Sequence, residues 1–385
     1  MRFIHTADWH LGRVYHSLSL LDDQAHMLDQ FVALVSDVRP DAVLIAGDVY
    51  DRSVPPADAV RLLDDTLTRI VIGAGIPVVL IAGNHDGPDR LGFGSRLLSS
   101  AGLTVRGVPA GTSLPVIFKD ADGEVAVYPL PYADPAQSRQ AFEDESLHDH
   151  HMALALQMSR LRAAHDPARR SVVVAHAFVQ GGSVTESERP LSVGGTGSVG
   201  KDVFAGIDYV ALGHLHRPQV IGDDDRIHYS GSLLKYSFAE ADHSKSVSVV
   251  ELNGRHELTI ERIGLVPRHD LRILEGTLQS LIEGAAHDTH REDYVLARLT
   301  DSGALLDAMT KLRTAYPNAL SIERPQFAGK LAGLEGGRDH RRVGMQELFS
   351  GFYEEMTGTP LAPDAVTLLQ AELQRQAQLA REVQA

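Results

Sequence analysis

Along residues 1–265, short apolar runs alternate with segments in which apolar residues return every three or four positions. Apolar runs of four or five residues read as buried strands, here Phe3–Ala7, Val43–Ala46, Val78–Ala82, Val172–Ala175 and Tyr209–Leu212. Between the first two, Leu21, Ala25, Leu28, Val32 and Val35 recur at helical spacing, and Val60, Leu63, Leu67, Ile70 and Ala74 form a second helical stripe. Strands alternating with helices predict an α/β arrangement with a central sheet.

The pattern changes at Val266-Pro267. Leu271–Leu274, Tyr294–Leu299 and Leu320–Ile322 read as strands, and 277–283 and 303–315 as helices, which gives a compact β-α-β-α-β unit. The glycine-rich stretch Gly329–Gly337 follows it. Two amphipathic helices are predicted near 344–356 and 364–382. The first presents Leu348, Phe349, Phe352 and Met356. The second has Asp364 as its N-cap and presents Val366, Leu369, Leu373, Ala377 and Ala380. The expected organisation is a large domain over 1–265, a small α/β capping domain over 266–330, a linker over 331–343 and partner-binding helices over 344–385. An apolar stripe of this kind is rarely left in water, which is why the last segment is expected to dock on another chain.

Composition narrows the chemistry. The chain has no cysteine, so disulfides, thiolate catalysis and sulfur-ligated metals are excluded, and any metal site must use His, Asp, Glu, Asn or Gln. The N-terminus lacks the apolar core of a signal peptide and no long apolar run follows, so a cytoplasmic location is expected. The net charge of −15 is opposite to the usual footprint of a nucleic-acid binder. That excess is uneven: residues 266–345 hold 11 Lys+Arg against 11 Asp+Glu. Carboxylates that bind divalent cations also count as negative only while empty.

Each of the five predicted strands of residues 1–265 is followed at once by candidate metal ligands. In chain order these are Asp8-Trp9-His10, Gly47-Asp48, Gly83-Asn84-His85-Asp86, His176 and Gly213-His214-Leu215-His216. Ligands bind at the carboxyl ends of strands in α/β sheets, so five such tips can converge on one point. Neighbouring glycines let the backbone turn tightly around it. Any one element is common by itself, and the other histidines, His5 included, read as surface or satisfied core residues. The glycine-rich stretch Ser192–Gly200 reads as a connecting loop, because no Lys-Ser/Thr helix start follows it.

The ordered set resembles the calcineurin-like metallophosphoesterase superfamily, which implies a two-sheet sandwich flanked by helices. The resemblance also implies that Asp8, His10, Asp48 and His216 hold one metal. Asp48, Asn84, His176 and His214 hold the other, so that Asp48 bridges both, and His85 acts on the transition state or leaving oxygen rather than as a ligand. Asp86 either orients the His85 ring or is a solvated turn residue.

Within the superfamily, Ile-His-Thr-Ala-Asp-Trp-His-Leu-Gly-Arg at 4–13, Ala-Gly-Asp-Val-Tyr-Asp-Arg-Ser-Val-Pro-Pro at 46–56, Ser187-Glu188-Arg189-Pro190-Leu191 and Tyr229-Ser230-Gly231-Ser232 resemble the SbcD-type nuclease subunits. Asp51 or Arg52 stands where the archaeal and eukaryotic relatives carry a second catalytic histidine, which fits the bacterial branch. The resemblance implies a manganese-dependent DNA exonuclease and endonuclease that works with an SbcC-like ATPase. It also implies a homodimer through helices about 57–72 and 89–101, whose stripes include Leu62, Leu63, Leu97 and Leu98. Arg268, Arg272, Arg298 and Arg324 are candidate DNA contacts of the capping domain. The alternative is another metallophosphoesterase acting on nucleotides or small phosphodiesters.

Overall fold

Side chains alternate across a strand, so a strand that is apolar at every position must be covered on both faces. The larger part of the chain meets that condition with two stacked sheets. The computed structural model describes all residues except 110–113, 189–196, 223–224, 304, 326–344, 358 and 383–385, and the chain divides into units Met1–Asp270 and Leu271–Ala385.

In the first unit one six-stranded sheet runs in the order Leu258–Gly264, Ser246–Leu252, Arg2–Thr6, Ala42–Ile45, Val78–Ile81, Leu103–Arg106. Its last four strands are mutually parallel and the first two are antiparallel additions. The second six-stranded sheet runs Gln219–Val220, Ile227–Tyr229, Tyr209–Gly213, Arg170–His176, Gly123–Leu130, Val116–Asp120. Phe3, Leu44, Val79 and Ile81 of one sheet meet Val127, Val172, Val174 and Tyr209 of the other in a single buried cluster. The alternate residues Tyr128, Leu130, Val173, Ala175, Val210 and Leu212 pack instead with Leu154, Met158 and Leu161 of the helix His150–Ala164. The helix Leu21–Val38 buries Met27, Leu28, Phe31 and Val35, and Phe31 meets the Trp9 ring edge-on at 5.7 Å. This is the expected two-sheet sandwich with flanking helices.

The five strands expected between residues 3 and 212 are present, and the other seven of the twelve described sandwich strands are not among those expected. Leu103–Arg106, Val116–Asp120, Gly123–Leu130, Ile227–Tyr229, Ser246–Leu252 and Leu258–Gly264 interleave polar residues with apolar ones. The helix Ala57–Thr68 runs on into a wider π-helical turn over Arg69–Gly73. Of the glycine-rich stretch Ser192–Gly200, residues 192–196 lie outside the described residues, and Ser198–Val199 pairs with Phe178–Val179. His5 is a core histidine: its ring contacts the Tyr209 hydroxyl at 2.8 Å and Leu212 O at 3.1 Å, and burial lowers its pKa to about 3.

The second unit holds three parallel strands, Leu271–Gly276, Tyr294–Leu299 and Ala319–Glu323, with helices Leu278–Gly284 and Ala308–Ala315. Leu278, Val295, Ala297, Leu299, Leu312 and Tyr316 form its core. The second of these helices begins at Ala308 rather than near 303, because Asp307 takes a left-handed conformation (φ 52°) that a helix cannot pass through. The C-terminal helices Met345–Thr357 and Pro363–Glu382 touch each other, and Gln370 Nε2 donates to Gln346 Oε1 at 3.1 Å. Asp364 lies inside the first turn rather than at the cap. Residues 331–343 and the side chains of Leu348, Phe352, Met356, Ala377 and Ala380 lie outside the described residues. No described helix is long and apolar enough to cross a membrane.

Candidate metal centre

Every sequence-predicted ligand stands at or just beyond the carboxyl end of a strand. Asp8 and His10 follow Arg2–Thr6, Asp48 follows Ala42–Ile45, and Asn84 and His85 follow Val78–Ile81. His176 ends Arg170–His176, and His214 and His216 follow Tyr209–Gly213. The loops are tight. Asp8 (φ 54°), His10 (φ 45°), Asp48 (φ 49°) and His214 (φ 110°) all have positive φ, which costs a non-glycine residue about 1–3 kcal/mol and persists only where the surroundings impose it. The surroundings do so here: Asp8 N–H donates to Gly47 O at 3.0 Å and His10 N–H to Asp48 O at 3.0 Å. Buried Gln24 donates to Trp9 O at 3.1 Å and to His10 O at 2.7 Å. The glycines are required by crowding, since a Cβ on Gly83 would lie 2.1 Å from Asp48 Oδ1, and one on Gly213 would lie 2.0 Å from Ala46 O.

The loops bring all of the predicted residues together. Asp48 Oδ2 lies 3.8 Å from His10 Nε2, 3.9 Å from His85 Nε2 and 3.5 Å from His176 Nε2. Asp8 accepts the His214 N–H on both oxygens, at 3.0 and 3.1 Å. His176 Nδ1 donates to Ala46 O at 2.8 Å, so its Nε2 lone pair faces Asn84 Oδ1 at 2.9 Å. His214 Nδ1 is 3.2 Å from the same oxygen, while Asn84 Nδ2 has no partner. His10 Nε2 and His216 Nε2 face each other at 3.0 Å, and His10 Nδ1 has no hydrogen-bond partner. The His176 Nε2 lone pair directed at the Asn84 oxygen is unfavourable in a buried pocket without a cation between them.

Electrostatics agree with that reading. Burial, followed by the charge of Asp48, pushes the Asp8 carboxyl well above the ordinary carboxylate range. Burial and neighbouring imidazoles hold His10 and His214 well below the usual histidine value, and burial lowers His176. Neutral imidazoles packed around mutually repelling carboxylates are a donor set for divalent metal ions. Three groups bring one donor atom from each member within 4.8 Å of the others: Asp8–His10–His216, Asp8–Asp48–His176 and His10–Asp51–His85.

His85 Nδ1 donates to the Asp51 carbonyl at 2.8 Å, which turns Nε2 towards Asp48. Asp51 also receives Arg13 Nη1 at 2.9 Å. Asp86 neither orients His85 nor sits in solvent. It is buried and accepts N–H groups of Gly83 at 2.9 Å, Val49 at 3.2 Å and Tyr50 at 2.9 Å, clamping two ligand loops together. Burial and the Asp48 charge raise its pKa to about 7. Behind His216 lies a cluster to which the sequence motifs assign no role, Ser187 and Glu188 of the 187–191 motif included. His216 Nδ1 is 2.8 Å from Ser187 Oγ and 3.2 Å from Glu240 Oε1, and its N–H donates to Glu188 Oε1 at 2.8 Å. Lys245 pairs with Glu240 and donates to His216 O at 2.8 Å.

Residues 1–218 match the family model for calcineurin-like phosphoesterases, and residues 267–357 match the one described as the type 5 capsule protein repressor C-terminal domain. The SbcD subunit of the SbcCD nuclease from Staphylococcus saprophyticus subsp. saprophyticus is 34% identical over 361 residues, covering 94% of each chain. The chain belongs to the SbcD family of calcineurin-like phosphoesterases. As an SbcD-family member it is a metal-dependent phosphodiesterase of the nuclease type, and the clustered His and Asp side chains are candidate ligands for divalent metal. A dimetal phosphatase from Danio rerio has 14% identity and a TM-score of 0.43, over 69% of this chain and 97% of that one. The protein TT1561 of Thermus thermophilus has 15% identity and a TM-score of 0.37, over 68% of this chain and 98% of that one.

Proposed function

We propose that this SbcD-family chain is the manganese-dependent nuclease subunit of a complex with an SbcC-like ATPase, cutting DNA phosphodiesters as a double-strand exonuclease and as an endonuclease on single strands and hairpins. In this reading Asp8, His10, Asp48 and His216 hold one divalent ion. Asp48, Asn84, His176 and His214 hold the second. The observation that carries it is the position of Asp48, whose Oδ2 is within 3.9 Å of ring nitrogens from three different loops. When bound, two such ions supply Lewis-acid charge to a phosphate and an activated water. The chain itself supplies orientation and proton handling. The Asp51 carbonyl holds the Nδ1–H of His85, leaving Nε2 at the mouth of the cluster to stabilise or protonate the leaving oxygen.

The purified chain with Mn²⁺ should cleave both end-labelled duplex DNA and bis-p-nitrophenyl phosphate, and EDTA should stop both. Turnover of mononucleotides with DNA left intact would favour a nucleotide phosphoesterase instead.

A homodimer through the 57–72 and 89–101 segments belongs to the same reading. Leu63 is buried in its own unit, but Ile72, Phe93 and Leu97 are 70–85% exposed. Val60, Leu67, Val71, Phe93 and Leu98 line an open apolar cleft beside them. Exposed apolar area of this kind marks an interaction surface. Sedimentation should give a dimer at micromolar concentration.

The segment 266–330 is read as a cap that contacts DNA. Three of its four candidate arginines are engaged within the unit: Arg272 with Asp288 and Asp293, Arg298 with Glu323, and Arg324 with the carbonyls of Asp301 and Gly303. Exposed Arg268 is the better candidate. Removing the segment should weaken duplex cleavage more than diester hydrolysis. The helices after residue 344 are read as the ATPase-docking element, with Leu368 73% exposed. Truncation of 340–385 should abolish co-purification with the ATPase while diester hydrolysis persists.

A further inference from the structure

The hydrogen count around His216 has one consistent solution. Glu240 is fully buried, and Ser187 and Lys245 are 8% and 7% exposed. Ser187 Oγ also touches Thr185 Oγ1 at 2.9 Å; because the Glu240 carboxylate can only accept, the single Ser187 hydroxyl hydrogen goes to Glu240 Oε1 and the Thr185 hydroxyl donates to Ser187. His216 Nδ1, 2.8 Å from Ser187 Oγ and 3.2 Å from Glu240 Oε1, therefore faces two acceptors and must carry the hydrogen. In the neutral ring that metal ligation requires, its Nε2 is then a bare lone pair, directed at His10 Nε2 3.0 Å away. Lys245 completes the frame. Its ammonium binds Glu240 Oε2, Ser232 Oγ at 2.9 Å and His216 O at 2.8 Å, which uses all of its donors. The His216 N–H is taken by Glu188 at 2.8 Å. The ring and both backbone polar groups of this one residue are thus fixed by buried side chains.

A buried ion pair is costly to desolvate and contributes little to stability by itself, so its worth lies in what it orients. We propose that Glu240 and Lys245 are positioning residues of the metal centre: they lock His216 as the Nδ1–H tautomer and so set the affinity of the Asp8–His10–His216 half without touching the other half. The inference rests on the two-ion reading given above. Hydrogen bonds behind a histidine ligand typically change metal affinity by about 10–100-fold.

The test uses the full-length, metal-stripped protein titrated with Mn²⁺ by calorimetry and by electron paramagnetic resonance. The wild type should show two sites. The double variant Glu240→Gln/Lys245→Met removes both charges together, so neither is left buried alone. It should weaken one site about 10–100-fold and leave the other at wild-type affinity. Nitrogen-15 NMR of the histidine rings should show a single Nδ1–H tautomer for His216 in the metal-free wild type and a mixture in the variant. Should the double variant fail to fold, Ser187→Ala keeps the ion pair and should show the same split at about tenfold. Equal weakening of both sites, no weakening, or a mixed His216 tautomer in the wild type overturns the proposal. A wild type that binds fewer than two ions overturns the two-ion reading itself.

Discussion

His176 and His216 lie at the ends of neighbouring strands in one sheet, and their rings are held by different means. His176 donates Nδ1–H to the main-chain oxygen of Ala46, 2.8 Å away on the facing sheet. His216 depends on Ser187 and Glu240, side chains far along the chain that need Lys245 to stay buried. A main-chain acceptor comes with the packing of the two sheets and cannot be lost by substitution. A side-chain acceptor can be. In the proposed two-ion reading, the half that contains His176 is therefore written into the backbone and the half that contains His216 into a dispersed polar network.

Predictions that challenge this contrast run from large to small. In the proposed two-ion reading Asp48 serves both halves, so Asp48→Asn should abolish metal-dependent cleavage, a loss of about 10³-fold or more, while circular dichroism stays unchanged. Full activity in that variant would mean the halves are not joined through Asp48. His85→Ala should slow cleavage by about 10²–10⁴-fold and keep both ions, since the proposed reading places His85 in neither half. Metal analysis showing an ion lost would move His85 into the ligand set. Gly213→Ala drives a Cβ to within 2.0 Å of Ala46 O, the atom that holds His176. Overpacking there should cost about 1–3 kcal/mol, or roughly 2–4 °C of Tm per kcal/mol, and should weaken the His176 side of the centre before the His216 side. The reverse order in a metal titration would break the contrast.

The smallest effect serves as a control remote from either half. Arg170 hydrogen-bonds Asp120 and holds its carboxyl well below the ordinary range, helped by the N-terminal ammonium at 2.8 Å. A depressed carboxylate contributes stability above its unfolded pKa and loses it as pH falls through the folded value. Asp120→Asn should therefore lower the Tm of the metal-free protein slightly at pH 7, by about 2–4 °C at most for a partly exposed pair. The gap should close progressively below about pH 4. A gap that widens in acid would reverse the assigned sign.

The same contrast explains what the sequence made legible. Asp8, His10, Asp48, Asn84, His85, His176, His214 and His216 stand beside strands apolar at nearly every position and beside glycines that crowding demands, so pattern and chemistry coincide. Gln24, Glu240 and Lys245 carry no such mark, and Ser187 and Glu188 stand in a motif that gives them no role. Glu240 sits in a short 3-10 turn, Phe238–Glu240, and Lys245 directly before a strand, both inside polar stretches that read as surface. Their burial follows from the meeting of the two sheets, which no local window contains. The strands Val116–Asp120 and Leu258–Gly264 escaped because exposed positions break their apolar runs. Asp86 reads from the sequence as either a partner of His85 or a turn residue because two of its three N–H partners lie on another loop, 36 and 37 positions earlier.

Asp8 receives the backbone N–H of His214 across 206 positions of chain. During N-to-C synthesis the first ligands emerge long before the last, and the cage cannot close until Tyr209–Gly213 has joined its sheet. Cation uptake therefore reports that the last ligand-bearing strand is in place, and a nascent or truncated chain that stops short of it has carboxylates but no cage. Once closed, the cage ties the protein's lifetime to ion supply: free ion at 100 times its dissociation constant adds about 2.7 kcal/mol against unfolding at each site. Metal starvation would thus expose the chain to proteolysis as well as idle it.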